Sequence, residues 1–294
     1  MPISTHPSRA EARALLRDLL PPRARDAHKG HFGRAALACG SSLYAGAAIL
    51  AAEGALRAGA GFTYLYSVRE AVAAARARLP EVICREMEEA PSTLAAYLPY
   101  LQGADAALIG CGIGQEGDAA AFCAELSSFL ATEGGALVLD ADALNLLSRG
   151  DARSVLRGAR RCVILTPHEM EFSRLSGLPL AEIHADREGC AARFAAETGT
   201  VVLLKGAGSV IAAGNRFAVC PSGSPALAKG GTGDVLAGIL VGLLAQGVPP
   251  FEATFLAAYL HGEAGEAEAR RYSERGVLPS SLPAAAAEIL NEIL

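Results

Sequence analysis

The chain has 294 residues, 51% hydrophobic and 19% charged, enough to bury one large α/β core or two small ones. A net charge of −5 with no tryptophan and no basic stripe sets nucleic acid aside as a partner. No apolar run reaches the ~18–20 residues that a membrane span needs, and Met1–Arg13 lacks the apolar core of a signal peptide. The seven cysteines are scattered and never spaced Cys-x-x-Cys. They read as free thiols in a reducing cytoplasm, not as a disulfide framework or a zinc motif.

Arg9–Leu20 repeats Ala and Leu at helical spacing and stops at Pro21-Pro22. Residues 1–26 then read as an N-terminal helix and linker ahead of a single domain over 27–294. Lys29–Arg34 is a basic, glycine-bearing loop, and Ala35–Cys39 a short buried strand ending in Gly40-Ser41-Ser42. Tyr44–Ala58 is an alanine-rich helix whose Gly46 and Gly54 are spaced for close packing on a sheet. Strands Phe62–Tyr66 and Val82–Cys84 flank a helix over Val68–Leu79. A helix over Leu94–Leu101 leads to strand Ala106–Ile109, a turn at Gly110–Gly114, helix Ala119–Leu130 and strand Ala136–Leu139. Strands Val163–Leu165 and Thr200–Leu204 follow, then a hairpin of Val210–Ala212 and Arg216–Val219 through Gly214-Asn215. Helices over Val235–Gln246, Pro250–Tyr272 and Leu282–Leu294 complete the chain.

This alternation predicts an α/β fold with a mostly parallel central sheet and helices on both faces. No linker and no internal repeat divides it. In such sheets ligands bind beyond the carboxyl ends of the strands. Gly40-Ser41, Gly110–Gly114, Asp140–Asp142, Thr166–His168, Lys205-Gly206 and Gly230–Asp234 all fall at such ends, which points to one cleft.

Gly230-Gly231-Thr232-Gly233-Asp234 is the most chemically suggestive stretch, since it runs into an apolar helix. Its amides can converge on an anion at the helix N-terminus, with Asp234 in the first turn. It reads equally as an ordinary N-cap by Thr232 or Asp234. The positive end of the helix is expected to lower the pKa of Asp234 and keep it ionised at neutral pH. Lys205–Ser209 suits a nucleotide phosphate, or is a β-turn with a solvated lysine. Asp142 reads as the N-cap of a helix over Ala143–Ser148, and Asp140 as a carboxylate behind a water or metal. His168 and Glu171, three apart, can share a polar ligand or a phosphate-bound ion. His261, in an apolar helix, reads as a packing or orienting residue.

Taken in order, Lys29-Gly30-x-x-Gly33, Gly40-Ser41 with Gly46-Ala47-Ala48, Ala58–Gly61, Leu79-Pro80-Glu81, Gly110–Gly114, Asp140–Asn145, Thr166–His168 with Glu171, Lys205-Gly206 and Gly230–Gly238 resemble the ADP-dependent NAD(P)H-hydrate dehydratases. These are ribokinase-like proteins, and the likeness runs from Ala27 to Arg270. It implies dehydration of the S epimers of NADHX and NADPHX, the hydrated nicotinamide cofactors, to NADH and NADPH. ADP is consumed, and AMP and phosphate are released. By the same resemblance Asp234 is the base, and the amides of Gly231, Thr232 and Gly233 meet the transferring phosphoryl group. Lys205, Gly206, Ala207, Gly208 and Ser209 bind the nucleotide. Ala47, Gly112, Gly114 and His168 line the NAD(P)HX pocket with Asp234. Mg²⁺ rides on the ADP phosphates, with Glu171 reaching it through water. A separate epimerase is implied for the R epimer, and a homo-oligomer, a homotetramer, is expected from the family and from the alanine-rich helix.

Three residues depart from the family pattern: Cys111 stands for Pro, Met170 for Gly, and Lys229 for Thr or Ser. Lys229 is expected to add positive charge beside the phosphate. Two other functions share the glycine loop. One is a kinase of vitamin-like alcohols, which carries Asn in place of His168. The other is a catalytically silent nucleotide-binding protein, against which Asp234 and Lys205 both argue.

Overall fold

The computed structural model describes residues 3–20 and 22–294; Pro21, half of the stop expected after the first helix, lies outside them. Nine strands form one sheet: β1 (Arg34–Ala38), β2 (Phe62–Ser67), β3 (Ile83–Glu86), β4 (Ala106–Ile109), β5 (Ala136–Leu139), β6 (Val163–Leu165), β7 (Val201–Leu204), β8 (Val210–Ala213) and β9 (Arg216–Val219). Their order is β3-β2-β1-β4-β5-β6-β7-β8-β9. All pairings from β3 to β7 are parallel, and β8 and β9 turn back as the expected antiparallel hairpin.

The helices are α1 (Arg9–Leu19), α2 (Ala45–Ala58), α3 (Arg69–Arg78), α4 (Leu98–Leu101), α5 (Ala119–Leu130), α6 (Asp142–Ser148), α7 (Ala152–Arg157), α8 (Glu169–Ser176), α9 (Leu180–Ala185), α10 (Arg187–Thr198), α11 (Thr232–Ala245), α12 (Pro250–Gly276) and α13 (Leu282–Ile293). The period of two along each strand divides them into two layers. Leu37, Leu65, Leu108, Val138, Ile164 and Leu203 pack with α1–α3 and α11–α13. Ala36, Ala107, Leu137, Leu139, Leu165 and Leu204 pack with α4–α10. Both faces of the central strands are thus covered, which explains why the strands read as continuous apolar runs. No helix among the described residues is long and apolar enough to cross a membrane.

Helices α2 and α11 lie backbone to backbone. A Cβ on Gly238 would stand 2.1 Å from the Ala51 carbonyl oxygen, and one on Gly54 2.7 Å from that of Val235. Gly54 therefore serves a helix–helix contact and not the sheet packing expected of it, while a Cβ on Gly46 would meet open space. The alanine face of α2, expected to support self-association, is spent inside the chain, with Ala48, Ala51, Ala52 and Ala55 fully buried.

The N-terminal helix is joined to the same body. Ser8 and Glu11 form its capping box, the carboxylate accepting the Ser8 amide at 2.7 Å. Leu16 is buried, Arg17 Nε donates to the Ile293 carbonyl at 2.8 Å, and Arg9 pairs with Glu263 and Glu266 at 2.7 Å each. At the opposite end of the sheet from the cleft, Lys29–Gly33 meets Gly59–Gly61, the Gly61 amide donating to the Phe32 carbonyl at 2.9 Å. These two motifs are structural.

Gly238→Val should destabilise the protein by about 1–3 kcal/mol by wedging α2 from α11. Gly46→Ala, on the open side of α2, should stay within about 0.5 kcal/mol. Denaturant midpoints compare them directly, and equal midpoints would show that the α2–α11 contact is not close-packed.

Candidate active site

Helix α11 begins after Gly231, whose φ of +98° is the left-handed conformation that glycine adopts without a Cβ clash. Thr232 Oγ1 donates to the carbonyls of Leu227 and Lys229, at 2.8 and 3.0 Å, and so closes the loop behind the helix. Its hydroxyl is thereby spent, and its amide donates to the Lys229 carbonyl at 3.3 Å, so Gly233 and Asp234 supply the helix amides left open to a ligand. No side chain caps α11, so neither Thr232 nor Asp234 is an N-cap. The first amides of the helix keep their anion-binding capacity. A Cβ on Gly233 would have only Lys205 Nζ near it, at 3.5 Å. Lys229 does not add its charge here: its ammonium donates to the carbonyls of Arg275 (3.0 Å) and Val277 at the end of α12.

Asp140 follows β5 and is almost wholly buried. Its Oδ1 accepts from Lys205 Nζ at 2.9 Å and Thr166 Oγ1 at 2.7 Å, while Oδ2 faces Cys111 Sγ at 3.6 Å. Ala141 has φ +47° and ψ −114°, a conformation costly for a residue with a Cβ. This turn sends Asp140 into the cleft and Asp142 outward. Asp142 is the first residue of α6 and not its N-cap. It accepts instead from the Gly114 amide and from Gln115 Nε2, both at 2.9 Å, and so ties down the Gly110–Gly114 loop.

Cys111, Asp140 and Asp234 present ligand atoms within 4.8 Å of one another. Burial, and then the charge of Asp140, push Asp234 up to about 7, against the pull of the Cys111 thiol and Lys205. This reverses the expectation of a depressed pKa. The helix N-terminus is only a partial charge, whereas desolvation and a neighbouring carboxylate act at full strength. Burial alone would lower Lys205, but Asp140 and Glu171 outweigh it and hold its pKa raised.

Lys205 pairs in a short parallel bridge with His168, its amide donating to the Pro167 carbonyl at 2.8 Å. Its ammonium lies 3.9 Å from Glu171 Oε2. His168 and Glu171 form a capping box for α8. His168 Nδ1 accepts the amides of Met170 and Glu171, at 3.2 and 3.3 Å, and Glu171 Oε2 accepts the His168 amide at 2.8 Å. Burial lowers the His168 pKa, and this bonding assigns a neutral ring with its proton on Nε2, 3.4 Å from Glu171 Oε1. Met170 sits in the helix and needs no positive φ, which removes the difficulty expected from its replacing glycine.

Gly206–Ser209 is a bend closed by a side chain, with Ser209 Oγ between the amide and carbonyl of Gly206 at 3.3 and 3.1 Å. Arg187 on α10 holds it, donating to the carbonyls of Ala207 (2.8 Å), Gly208 (3.1 Å) and Leu204 (3.3 Å). Nothing in the local sequence signals this role, because the arginine lies on a separate helix. Across the cleft a Cβ on Gly112 would stand 2.7 Å from Ala47 Cβ, whereas one on Gly114 would meet nothing within 4 Å. Ala47 and the Gly110–Gly114 loop therefore share one wall, edged by the exposed Leu43 and Tyr44. His261 is buried, and desolvation pushes it down to about 4, so it is neutral.

A profile described as NAD(P)H-hydrate dehydratase matches residues 35–287. The ADP-dependent (S)-NAD(P)H-hydrate dehydratase of Neisseria meningitidis is 37% identical over 246 residues, covering 83% of this chain and 80% of that one. Among solved structures, the ADP/ATP-dependent NAD(P)H-hydrate dehydratase of Bacillus subtilis, co-crystallised with ATP/Mg²⁺, superposes with a TM-score of 0.83 at 31% identity, covering 96% and 97% of the two chains. A ribokinase-like superfamily protein of Enterococcus faecalis gives 0.83 at 30% identity, covering 98% and 95%. The chain spans about half the length of the bifunctional NAD(P)H-hydrate repair enzymes that it also matches. The fold is ribokinase-like, and the chain belongs to the NAD(P)H-hydrate dehydratase family.

Proposed function

We propose that this protein dehydrates (S)-NADHX and (S)-NADPHX to NADH and NADPH at the expense of ADP, with Asp234 as the general base. The observation that carries this reading is Asp234 itself. It is a carboxylate buried until its pKa is about 7, one turn into a helix whose first amides have no side-chain cap. A base works best with a pKa near the working pH. Asp234 takes the proton of the substrate hydroxyl as its oxygen bonds to the β-phosphorus of ADP and the bond to AMP breaks. The amides of Gly231, Gly233 and Asp234 stabilise the charge on the moving phosphoryl group. Phosphate then leaves the ring carbon, driven by the lone pair of the ring nitrogen. The resulting iminium ion loses a proton from the adjacent ring carbon to the departing phosphate or to solvent, which forms the ring double bond of NAD(P)H.

Lys205 bridges the two halves of the site, between Asp140 and the space over Gly233, where it can meet a phosphate. The bend at Gly206–Ser209 holds the nucleotide, and Ala47, Gly112, Gly114 and His168 hold the hydrated nicotinamide. Mg²⁺ supplies charge neutralisation on the ADP phosphates. Its fit is through water, because the oxygens of Glu171 are already engaged by His168 and face Lys205. An NAD(P)HX epimerase activity, of the kind that the bifunctional repair enzymes imply, would supply the S epimer.

Purified protein given NADHX, ADP and Mg²⁺ should generate the NADH absorption band. Its absence with both ADP and ATP, alongside phosphorylation of a vitamin alcohol by ATP, would move the protein to the kinases. Gly233→Val should fold normally, since its Cβ has room, yet bind ADP at least tenfold more weakly. Unchanged affinity by calorimetry would refute the anion role of the loop. In the wild type, kcat/KM should fall tenfold per pH unit below about 7, as Asp234 takes up its proton. Asp234→Asn should fold, bind ADP, lose about 10²–10⁴-fold in kcat and lose that pH limb. A variant that keeps both rate and limb excludes Asp234 as the base.

A further inference from the structure

Cysteine spacing along the chain carries no zinc motif, yet the fold gathers a thiol and two carboxylates at the floor of the cleft. Cys111 Sγ lies 3.6 Å from Asp140 Oδ2. A tetrahedral ion with metal–sulfur bonds of ~2.3 Å and metal–oxygen bonds of ~2.0–2.1 Å spans a sulfur–oxygen edge of about 3.5 Å. Asp234 completes a trio of ligand atoms within 4.8 Å of one another, so a modest side-chain rotation closes the third edge.

The polar bonding around these groups is incomplete. Asp140 is 1% exposed; Oδ1 has two good donors, but Oδ2 has only a thiol, which is a weak one. Cys111 has a single proton and faces two carboxylates, so it cannot serve both. With Cys111 as thiolate, Lys205 offsets one of the negative charges of Cys111, Asp140 and Asp234, and one divalent cation neutralises the rest. A thiolate among the donors favours zinc-class ions over Mg²⁺, which prefers all-oxygen sites.

We infer that Cys111, Asp140 and Asp234 form a binding site for a zinc-class divalent cation, and that its occupancy removes Asp234 from catalysis. The inhibition rests on the function proposed above; the binding does not. On binding, the S–H bond of Cys111 breaks and a sulfur–metal bond forms. The proton passes to solvent, as does any proton on Asp234, and nothing is oxidised.

The test uses the full metal-free chain, with Co²⁺ as spectroscopic probe and Zn²⁺ as competitor. One equivalent of Co²⁺ should give a thiolate-to-cobalt charge-transfer band in the near ultraviolet, which Zn²⁺ abolishes. Cys111→Ser should lose the band, and Asp234→Asn should keep it with affinity at least tenfold weaker; far-ultraviolet dichroism checks that each is folded. No band in the wild type at roughly millimolar Co²⁺, or the same band in Cys111→Ser, overturns the site. In the NADHX assay, Zn²⁺ should cut wild-type turnover at least tenfold and leave Cys111→Ser at its own zinc-free rate. Zinc-insensitive turnover with an intact band overturns the inhibition alone. A cobalt band in a protein without dehydratase activity would sink the proposed function and leave the metal site standing.

Discussion

The burial of α11 against α2 is the constraint on which the rest of the molecule depends. With Gly238 almost touching the Ala51 carbonyl, α11 has no freedom to slide or tilt away from α2, and its residues from Val235 to Ala245 are enclosed. The N-terminus of α11 is therefore held rigidly at the carboxyl ends of the central strands. Everything proposed for the amides of Gly231, Gly233 and Asp234 needs that rigidity, since preorganised dipoles stabilise charge only if they need not reorient. The glycines that make the helix pair close-packed are thus as much part of the site as those in the loop.

A second constraint is electrostatic. Asp140 and Asp234 occupy one poorly hydrated corner with a single cation, Lys205, within reach of the first. Lys205 and Thr166 donate to Asp140, and the charge of that carboxylate, added to burial, raises Asp234. Two identical side chains thereby take different roles because their environments differ. The strained backbone at Ala141 is what separates Asp140 from Asp142 and gives each its own partner.

The order of strands and helices, the two covered faces and the hairpin at Gly214-Asn215 were legible from the sequence, because short apolar runs and turn residues are local signals. So was the gathering of polar clusters at one edge, which follows from topology alone. Less legible were the short α7 and α9 and the charge-interrupted α10, and the docking of α1, whose buried residues and ion pairs meet partners more than 200 residues away. The direction of the Asp234 shift was misjudged because a helix terminus is visible in a sequence and a neighbouring carboxylate from another strand is not. Lys229 was assigned to the phosphate on proximity along the chain, whereas its side chain turns to the carbonyls that end α12.

The sequence by itself determined the fold class, the family and the glycine loop proposed to face the ligand, since each is written in periodicity and in ordered motifs. Only the tertiary structure decided which groups touch. Arg187 reaches the Gly206–Ser209 bend, Asp142 holds the Gly114 loop, and Cys111 stands between two carboxylates contributed by different elements. The physical reason is range. Backbone geometry is set by neighbours a few residues apart, while desolvation, charge coupling and metal-ligand distances are set by residues that meet only after the sheet has formed.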